Sequence, residues 1–194
     1  GEVIFNDGEE ATGFYALAAG RVKIYKLSPE GKEQILHVFG PGESFGEVPV
    51  FSGHSYPAYA EALEPSRILF FPRYEFVELI KTKPALALGI LADLSRRLRI
   101  FTNLIENLSL KEVPGRLAAH LLYLSERQSD SNELTLDLNK TQLASLLGTI
   151  PETLSRILAR MAREGFIEMM DNRQIRILDR ESIQELATGE RRLG

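Results

Sequence analysis

Short apolar runs set off by turn residues fill the first part of the chain, and longer stretches of helical period fill the rest. Val3-Ile-Phe5, Phe14-Tyr-Ala-Leu17, Gly20-Arg-Val-Lys-Ile-Tyr-Lys-Leu27, Glu33-Gln-Ile-Leu-His-Val-Phe39 and Arg67-Ile-Leu-Phe-Phe71 read as β-strands. Asn6-Asp-Gly8, Ser28-Pro-Glu-Gly31 and Gly40-Pro-Gly42 stand between them and are the residue types that turn strands back on themselves. Short strands at regular spacing predict an antiparallel roll or barrel. The pattern opens midway at Gly1-Glu2-Val3, so a further N-terminal segment is expected ahead of it.

Helical period takes over at Pro72-Arg-Tyr-Glu-Phe-Val-Glu-Leu-Ile80, a short helix, and continues in a longer one after Pro84. There Ala87, Leu91, Leu94, Leu98, Phe101, Ile105 and Leu108 recur at alternating steps of four and three. A sustained period of 3.5 rather than 3.6 is that of a helix pairing with another along a seam. A second stripe, Leu86, Ile90, Ile100 and Leu104, flanks the first. Two readings follow: a seam between two copies of the chain, which the period favours, or a helix buried within one copy. Ser109-Leu-Lys-Glu112 fits a capping box with Pro114 close behind, so one helix is expected to end and another to begin there.

The segment from Asn139 to Arg156 predicts two short helices joined at Gly148. Asn139 with Gln142 has the spacing of a capping box, and Leu143, Ala144 and Leu147 form the inner face of the first helix. The second opens at Thr149 and Pro151 and buries Leu154, Ile157, Leu158 and Met161, which leaves Glu152, Ser155 and Arg156 facing outward together. An arginine can grip guanine bidentately and a carboxylate can accept from cytosine, so this trio suits a DNA major groove. A second reading of Glu152 also stands, because Thr149-Ile-Pro-Glu152 has capping-box spacing of its own. Phe166-Ile-Glu-Met-Met170 and Gln174-Ile-Arg-Ile-Leu178, joined by Asp171-Asn-Arg173, predict a two-stranded hairpin, which completes a winged helix-turn-helix.

Composition narrows the function classes. The 194 residues suffice for one large or two modest domains, and a 44% hydrophobic content can supply a core for each. No apolar run approaches the roughly 20 residues of a membrane span, and no signal-peptide pattern is present, so a cytoplasmic protein is expected. Without cysteine there is no disulfide, no thiol switch and no Cys-ligated iron–sulfur cluster. The net charge of −4 argues against indiscriminate nucleic-acid binding but leaves room for a local patch of Lys140, Arg156, Arg160 and Arg163, opposed within the unit by Glu152. No nucleophile, metal cluster or paired acid site points to an enzyme.

Gly20-Arg-Val22, Pro41-Gly-Glu-Ser-Phe-Gly-Glu47, Ala58-Tyr-Ala-Glu-Ala62, the long helix and Glu152-Thr-Leu-Ser-Arg156 together resemble the CRP/FNR superfamily of bacterial transcription factors over essentially the whole chain. The resemblance implies an α+β protein with a cyclic-nucleotide-binding-like antiparallel β-roll over residues 1–83, a dimerisation helix over 84–108 and a winged helix-turn-helix over 109–194. It also implies a homodimer on double-stranded DNA with RNA polymerase as a protein partner, controlled by a small-molecule effector. The alternative, a cyclic-nucleotide regulatory module of the kinase or channel type, shares the roll but has no use for the winged domain.

In cyclic-nucleotide binders of this family a Gly-Glu pair, matched by Gly46-Glu47, holds the ribose, and an Arg-Ser pair holds the phosphate. Tyr56 and Pro57 stand at the latter positions. Neither supplies a charge, and proline lacks an N–H, so cyclic AMP binding is expected to be lost. Gly46 and Glu47 then have turn and strand structure as their other reading. Phe101 replaces a polar residue that meets the base. Tyr56, Pro57, Tyr59, Phe101 and Leu104 would make the effector site apolar, suited to a flat hydrophobic cofactor, haem among them. His37, His54 and His120 are the available axial ligands, each with a structural reading of its own: strand, Gly-containing turn and packed helix.

For DNA, Glu152, Ser155 and Arg156 match the Glu-x-x-Ser-Arg pattern of the fumarate-nitrate regulator branch, which implies TTGAT-like half-sites. Pro151 stands where the cyclic AMP receptor branch has an arginine. Thr141, Thr149, Thr153 and Arg160 are expected phosphate contacts.

Overall fold

The computed structural model describes residues 1–53, 55–129, 131–171 and 173–193, which form two compact units, Gly1–Thr102 and Asn103–Gly194. In the first unit the strands are β1 (Val3–Phe5), β2 (Gly13–Ala19), β3 (Val22–Leu27), β4 (Glu33–Phe39) and β5 (Ser44–Phe45). A short helix α1 (Val48–Ser52), β6 (Tyr59–Ala62), β7 (Arg67–Pro72), α2 (Arg73–Thr82) and the long α3 (Ala85–Leu110) follow. The division between units falls inside α3.

Two antiparallel sheets, in orders β1-β6-β3-β4 and β5-β2-β7, enclose the first core. Phe5, Leu17, Val22, Phe39, Phe45, Tyr56 and Ala60 fill it. Phe14, Val50 and Phe76 make a smaller cluster where α1 and α2 meet β2. The strand alternation read from the sequence is the cause: Val22 and Ala60 turn inward while their neighbours Lys23 and Glu61 turn to the other face and pair at 3.3 Å. Gly13 allows the β2–β7 pair to close, since a Cβ there would lie 2.3 Å from the Phe71 carbonyl oxygen.

The second unit holds α4 (Val113–Arg127), β8 (Glu133–Thr135), α5 (Lys140–Leu146), α6 (Pro151–Arg163), β9 (Ile167–Met169), β10 (Gln174–Ile177) and α7 (Arg180–Thr188). Its sheet has the order β8-β10-β9. The expected two-stranded hairpin is therefore three-stranded, with β10 in the middle and β8 contributed from ahead of the helix-turn-helix. Arg176 of β10 binds Glu133 and Glu168 across both neighbours, at 2.8 and 2.9 Å. Helix α7 packs on α4 so closely that a Cβ on Gly115 would sit 2.8 Å from the Leu186 carbonyl oxygen.

The capping box expected at Ser109–Glu112 does not form. Helix α3 runs through Ser109 to Leu110, and α4 starts after Glu112, whose side chain makes no capping bond. The elbow is held instead by the Arg116 guanidinium, which donates to the Leu108 and Lys111 carbonyls at 3.3 and 3.0 Å and so satisfies groups that the end of α3 leaves open.

Candidate nucleic-acid interface and β-roll site

Helix α5 begins as the sequence predicts. The Asn139 side chain accepts from Gln142 N at 2.9 Å, and the Gln142 side chain accepts from Asn139 N at 3.1 Å, the two reciprocal bonds of a capping box. Gly148 takes φ +67°, a left-handed conformation that glycine adopts without strain, and Thr149 N returns to the Ala144 carbonyl at 2.9 Å. This sharp turn throws the chain into α6.

At the start of α6 the N-cap is Ile150, with Pro151 in the first turn and no side-chain cap. The second reading of Glu152 is thereby corrected: Thr149 lies one residue outside the cap position, so the Thr149–Glu152 box does not close and the carboxylate is not spent on the helix start. Leu154, Ile157, Leu158 and Met161 are buried, and Glu152, Ser155 and Arg156 are exposed on the opposite face. Among the described residues Arg156 has one weak hydrogen-bond partner, the Thr153 hydroxyl at 3.4 Å. Thr141 is exposed in the first turn of α5, while Thr149 and Thr153 are half-buried. Arg160 pairs with Glu164 at 3.0 Å, a second carboxylate in the basic patch that the sequence reading left out. That pair is solvent-facing, so it adds little to stability.

Of the residues expected to line an effector pocket, Tyr56, Pro57 and Tyr59 have different surroundings within the roll. Tyr56 is buried in the roll core, its ring 3.9 Å from that of Phe5 and its hydroxyl donating to the Gly13 carbonyl at 2.7 Å. Burial pushes the phenol pKa well up, the nearby Tyr15 adding to the shift. Pro57 is exposed, and its carbonyl accepts from Lys26 Nζ at 3.1 Å. Tyr59 stacks on Tyr25 at 5.2 Å, on the face of β6 away from Ala60. Phe101 and Leu104 are half-buried on α3, and Leu104 belongs to the second unit. Tyr56 and Pro57 lie ahead of β6, the first turned into the core and the second to solvent, while Tyr59 stands on β6 itself.

Gly46 and Glu47 stand between β5 and α1, Glu47 at the N-cap of α1. Gly46 has φ +75°, and a Cβ there would press on the Phe5 and Tyr56 rings at 3.2 Å. Glu47 is buried, accepts from the Ser44 hydroxyl at 3.2 Å and forms an ion pair with Arg97, which also donates to the Ser44 carbonyl and lies 4.8 Å above the Phe39 ring. The sequence reading missed Arg97. The available signal was its place seven residues from both Ile90 and Leu104, a charge in an otherwise apolar stripe.

Of the histidines, His37 turns Nε2 toward Glu43 at 3.9 Å and its ring edge-on to Phe39, and that contact holds the Glu43 carboxyl below its usual range. His120 is half-buried in the second unit, with Nε2 shut off from solvent and, among the described residues, without a hydrogen-bond partner. His54 lies outside the described residues. Among the described residues no cluster of metal-ligating side chains is found, and no helix is long and apolar enough to cross a membrane.

A roll followed by a long helix and a winged helix-turn-helix is the architecture of a one-component DNA-binding regulator. The cyclic nucleotide-binding domain family matches residues 1–83 and the Crp-like helix-turn-helix domain family matches residues 115–186. The CRP-like cAMP-activated global transcriptional regulator of Mycobacterium tuberculosis is 30% identical over 191 residues, covering 96% of this chain and 85% of that protein. The fumarate and nitrate reduction regulatory protein of Vibrio cholerae is 31% identical, covering 96% and 76%. Among solved structures, FixK2 from Bradyrhizobium japonicum superposes with a TM-score of 0.82 at 26% identity, covering 95% of this chain and 92% of that one. The chain belongs to the CRP/FNR family of transcription regulators, and it is a DNA-binding protein rather than an enzyme.

Proposed function

We propose that this regulator works as a cytoplasmic homodimer that reads a TTGAT-like palindrome through Glu152, Ser155 and Arg156. The observation that carries the reading is the placement of Glu152: its helix is started by Ile150 and Pro151 without a side-chain cap, so the exposed carboxylate stands beside Ser155 and Arg156 and, among the described residues, closes no capping box. Arg156 grips a guanine, and Glu152 accepts from a cytosine amino group on the same half-site. Thr141, Thr149, Thr153 and Arg160 hold the flanking phosphates, Arg160 after releasing Glu164. Two subunits set their reading helices in successive major grooves, about 34 Å apart. RNA polymerase is the protein partner of the bound dimer.

For the roll we propose a signal other than a cyclic nucleotide. Tyr56 and Pro57 support this, since the first is tied into the core and the second offers neither charge nor donor. Glu47 is engaged by Arg97 rather than open to a ribose. Haem gains no support from this geometry: the described histidines are turned to Glu43 or, at Nε2, shut off from solvent in the winged domain, and the aromatic rings of the roll pack on one another.

Fluorescence anisotropy with a TTGAT-palindrome duplex and a scrambled duplex of equal length tests the DNA reading. Preference for the palindrome that grows as salt is raised supports it, and equal affinity for both duplexes refutes it.

A further inference from the structure

Among the described residues of the helix-turn-helix, residues 140–163, one large apolar side chain is exposed: that of Ile150, at 51%. It stands at the N-cap of α6, extended at φ −113° and ψ 154°, and its carbonyl accepts the first bond of the helix from Leu154 N at 3.0 Å. Isoleucine is among the least favourable residues for that position, because it offers no oxygen to the open N–H groups of the first turn. Thr149, which has such an oxygen, lies one residue too early, and Pro151 fixes the start where it is. The other large apolar residues of α6, Leu154, Ile157, Leu158 and Met161, are buried. The chain gives up a cap at the tip of its reading helix and presents a branched hydrocarbon to water there instead.

In a helix-turn-helix the N-terminal residues of the second helix are those that meet base edges. Glu152 supplies an acceptor and Arg156 supplies donors, which suit a cytosine and a guanine. Neither recognises the feature peculiar to thymine in the major groove, its C5-methyl group. An apolar side chain does, since the methyl and the isoleucine leave water together. The TTGAT half-site carries two thymines ahead of its guanine.

We propose that Ile150 is a specificity-determining residue that packs on a thymine methyl group ahead of the guanine held by Arg156. This rests on the TTGAT reading proposed above and extends it from the G·C pair to a neighbouring A·T pair. The contact also accounts for the choice of residue at the cap. A serine or threonine at position 150 would turn its oxygen onto its own helix and leave the methyl facing water.

Anisotropy titrations of the full chain on the TTGAT palindrome test this, with deoxyuridine replacing thymidine at one position at a time in both half-sites, so that only the methyl is lost. The natural chain is compared with Ile150→Ala and Ile150→Ser, circular dichroism confirming that each folds. At a thymine ahead of the guanine, loss of the methyl should weaken the natural chain by about fourfold per half-site. The same change should leave both variants where they were. Ile150→Ser supplies a capping oxygen and should melt at a higher temperature than the natural chain, which separates lost discrimination from lost folding. A natural chain that prefers the palindrome but ignores these methyl groups, or variants as sensitive to them as the natural chain, would overturn the proposal while leaving the TTGAT reading intact. Equal affinity of the natural chain for the palindrome and a scrambled duplex would sink both.

Discussion

Arg97 of α3 and Glu47 at the start of α1 form an ion pair across 50 positions of sequence, with side chains 14% and 3% exposed. The pair fastens the long helix to the roll from within the first unit. Glu47 has the Ser44 hydroxyl as a further partner at 3.2 Å, and Arg97 has the Ser44 carbonyl, so both ions are compensated by more than each other.

Removing one member leaves the other buried without its counter-charge. Arg97→Ala is expected to destabilise the first unit by on the order of 3 kcal/mol. Arg97→Met/Glu47→Leu, which removes both charges and keeps volume, should recover much of that loss. Urea unfolding followed by circular dichroism checks it, and a double variant no better than the single one would mean that the pair is not the source of the effect.

Arg156→Ala should cost about 1–3 kcal/mol on the palindrome, through loss of the guanine contact. Binding to scrambled DNA should change little, leaving weak and salt-sensitive association. Anisotropy titrations at two salt concentrations separate the outcomes. An equal loss on both duplexes would assign Arg156 to the phosphate backbone.

Asn139→Ala removes one side of the α5 capping box and should lower the stability of the winged domain by about 1 kcal/mol. Asn139→Asp, which keeps the acceptor for Gln142 N, should lose much less. Thermal unfolding of the two variants side by side decides it.

Burial pulls the His120 pKa below its usual value, and the Asp137 carboxylate opposes the shift. The folded state therefore binds a proton less readily than the unfolded chain, whose histidine titrates near about 6.5. Stability from this group is complete above that pH and is lost as pH falls below it, because the unfolded state then takes up more protons. Unfolding measured from pH 7.5 down to pH 5 should show the decline, flattened in His120→Gln; identical slopes would show that other groups carry the acid sensitivity.

Capping boxes are read at three places in the sequence, and their fates show what was legible. At Asn139–Gln142 nothing nearby competes, and the box forms as read. At Ser109–Glu112 the helical ladder of α3 continues past the serine, Lys111 N reaching the Asn107 carbonyl at 3.2 Å, so the local signal is overridden. At Thr149–Glu152, Pro151 fixes the helix start one residue late. Strands β3 and β4 were readable because their alternation is long. By contrast β8 has one buried apolar residue, Leu134, and becomes a strand only by pairing with β10. The shared exposure of Glu152, Ser155 and Arg156 on α6 follows from helical spacing alone. The Glu47–Arg97 pair depends on a tertiary meeting that no local pattern announces.

The order of the winged sheet bears on how the chain is made. Its middle strand, β10, follows the reading helix in sequence, and its edge strand β8 precedes it. A growing chain therefore emerges from the ribosome with α5 and α6 complete before the strand that joins β8 to β9 has been synthesised, and α7, which closes on α4, comes later still. Domains fold as units during synthesis. The helix-turn-helix gains its support only once β10 and α7 have been made, so a chain terminated before them carries Glu152, Ser155 and Arg156 without the sheet and helix that complete the unit.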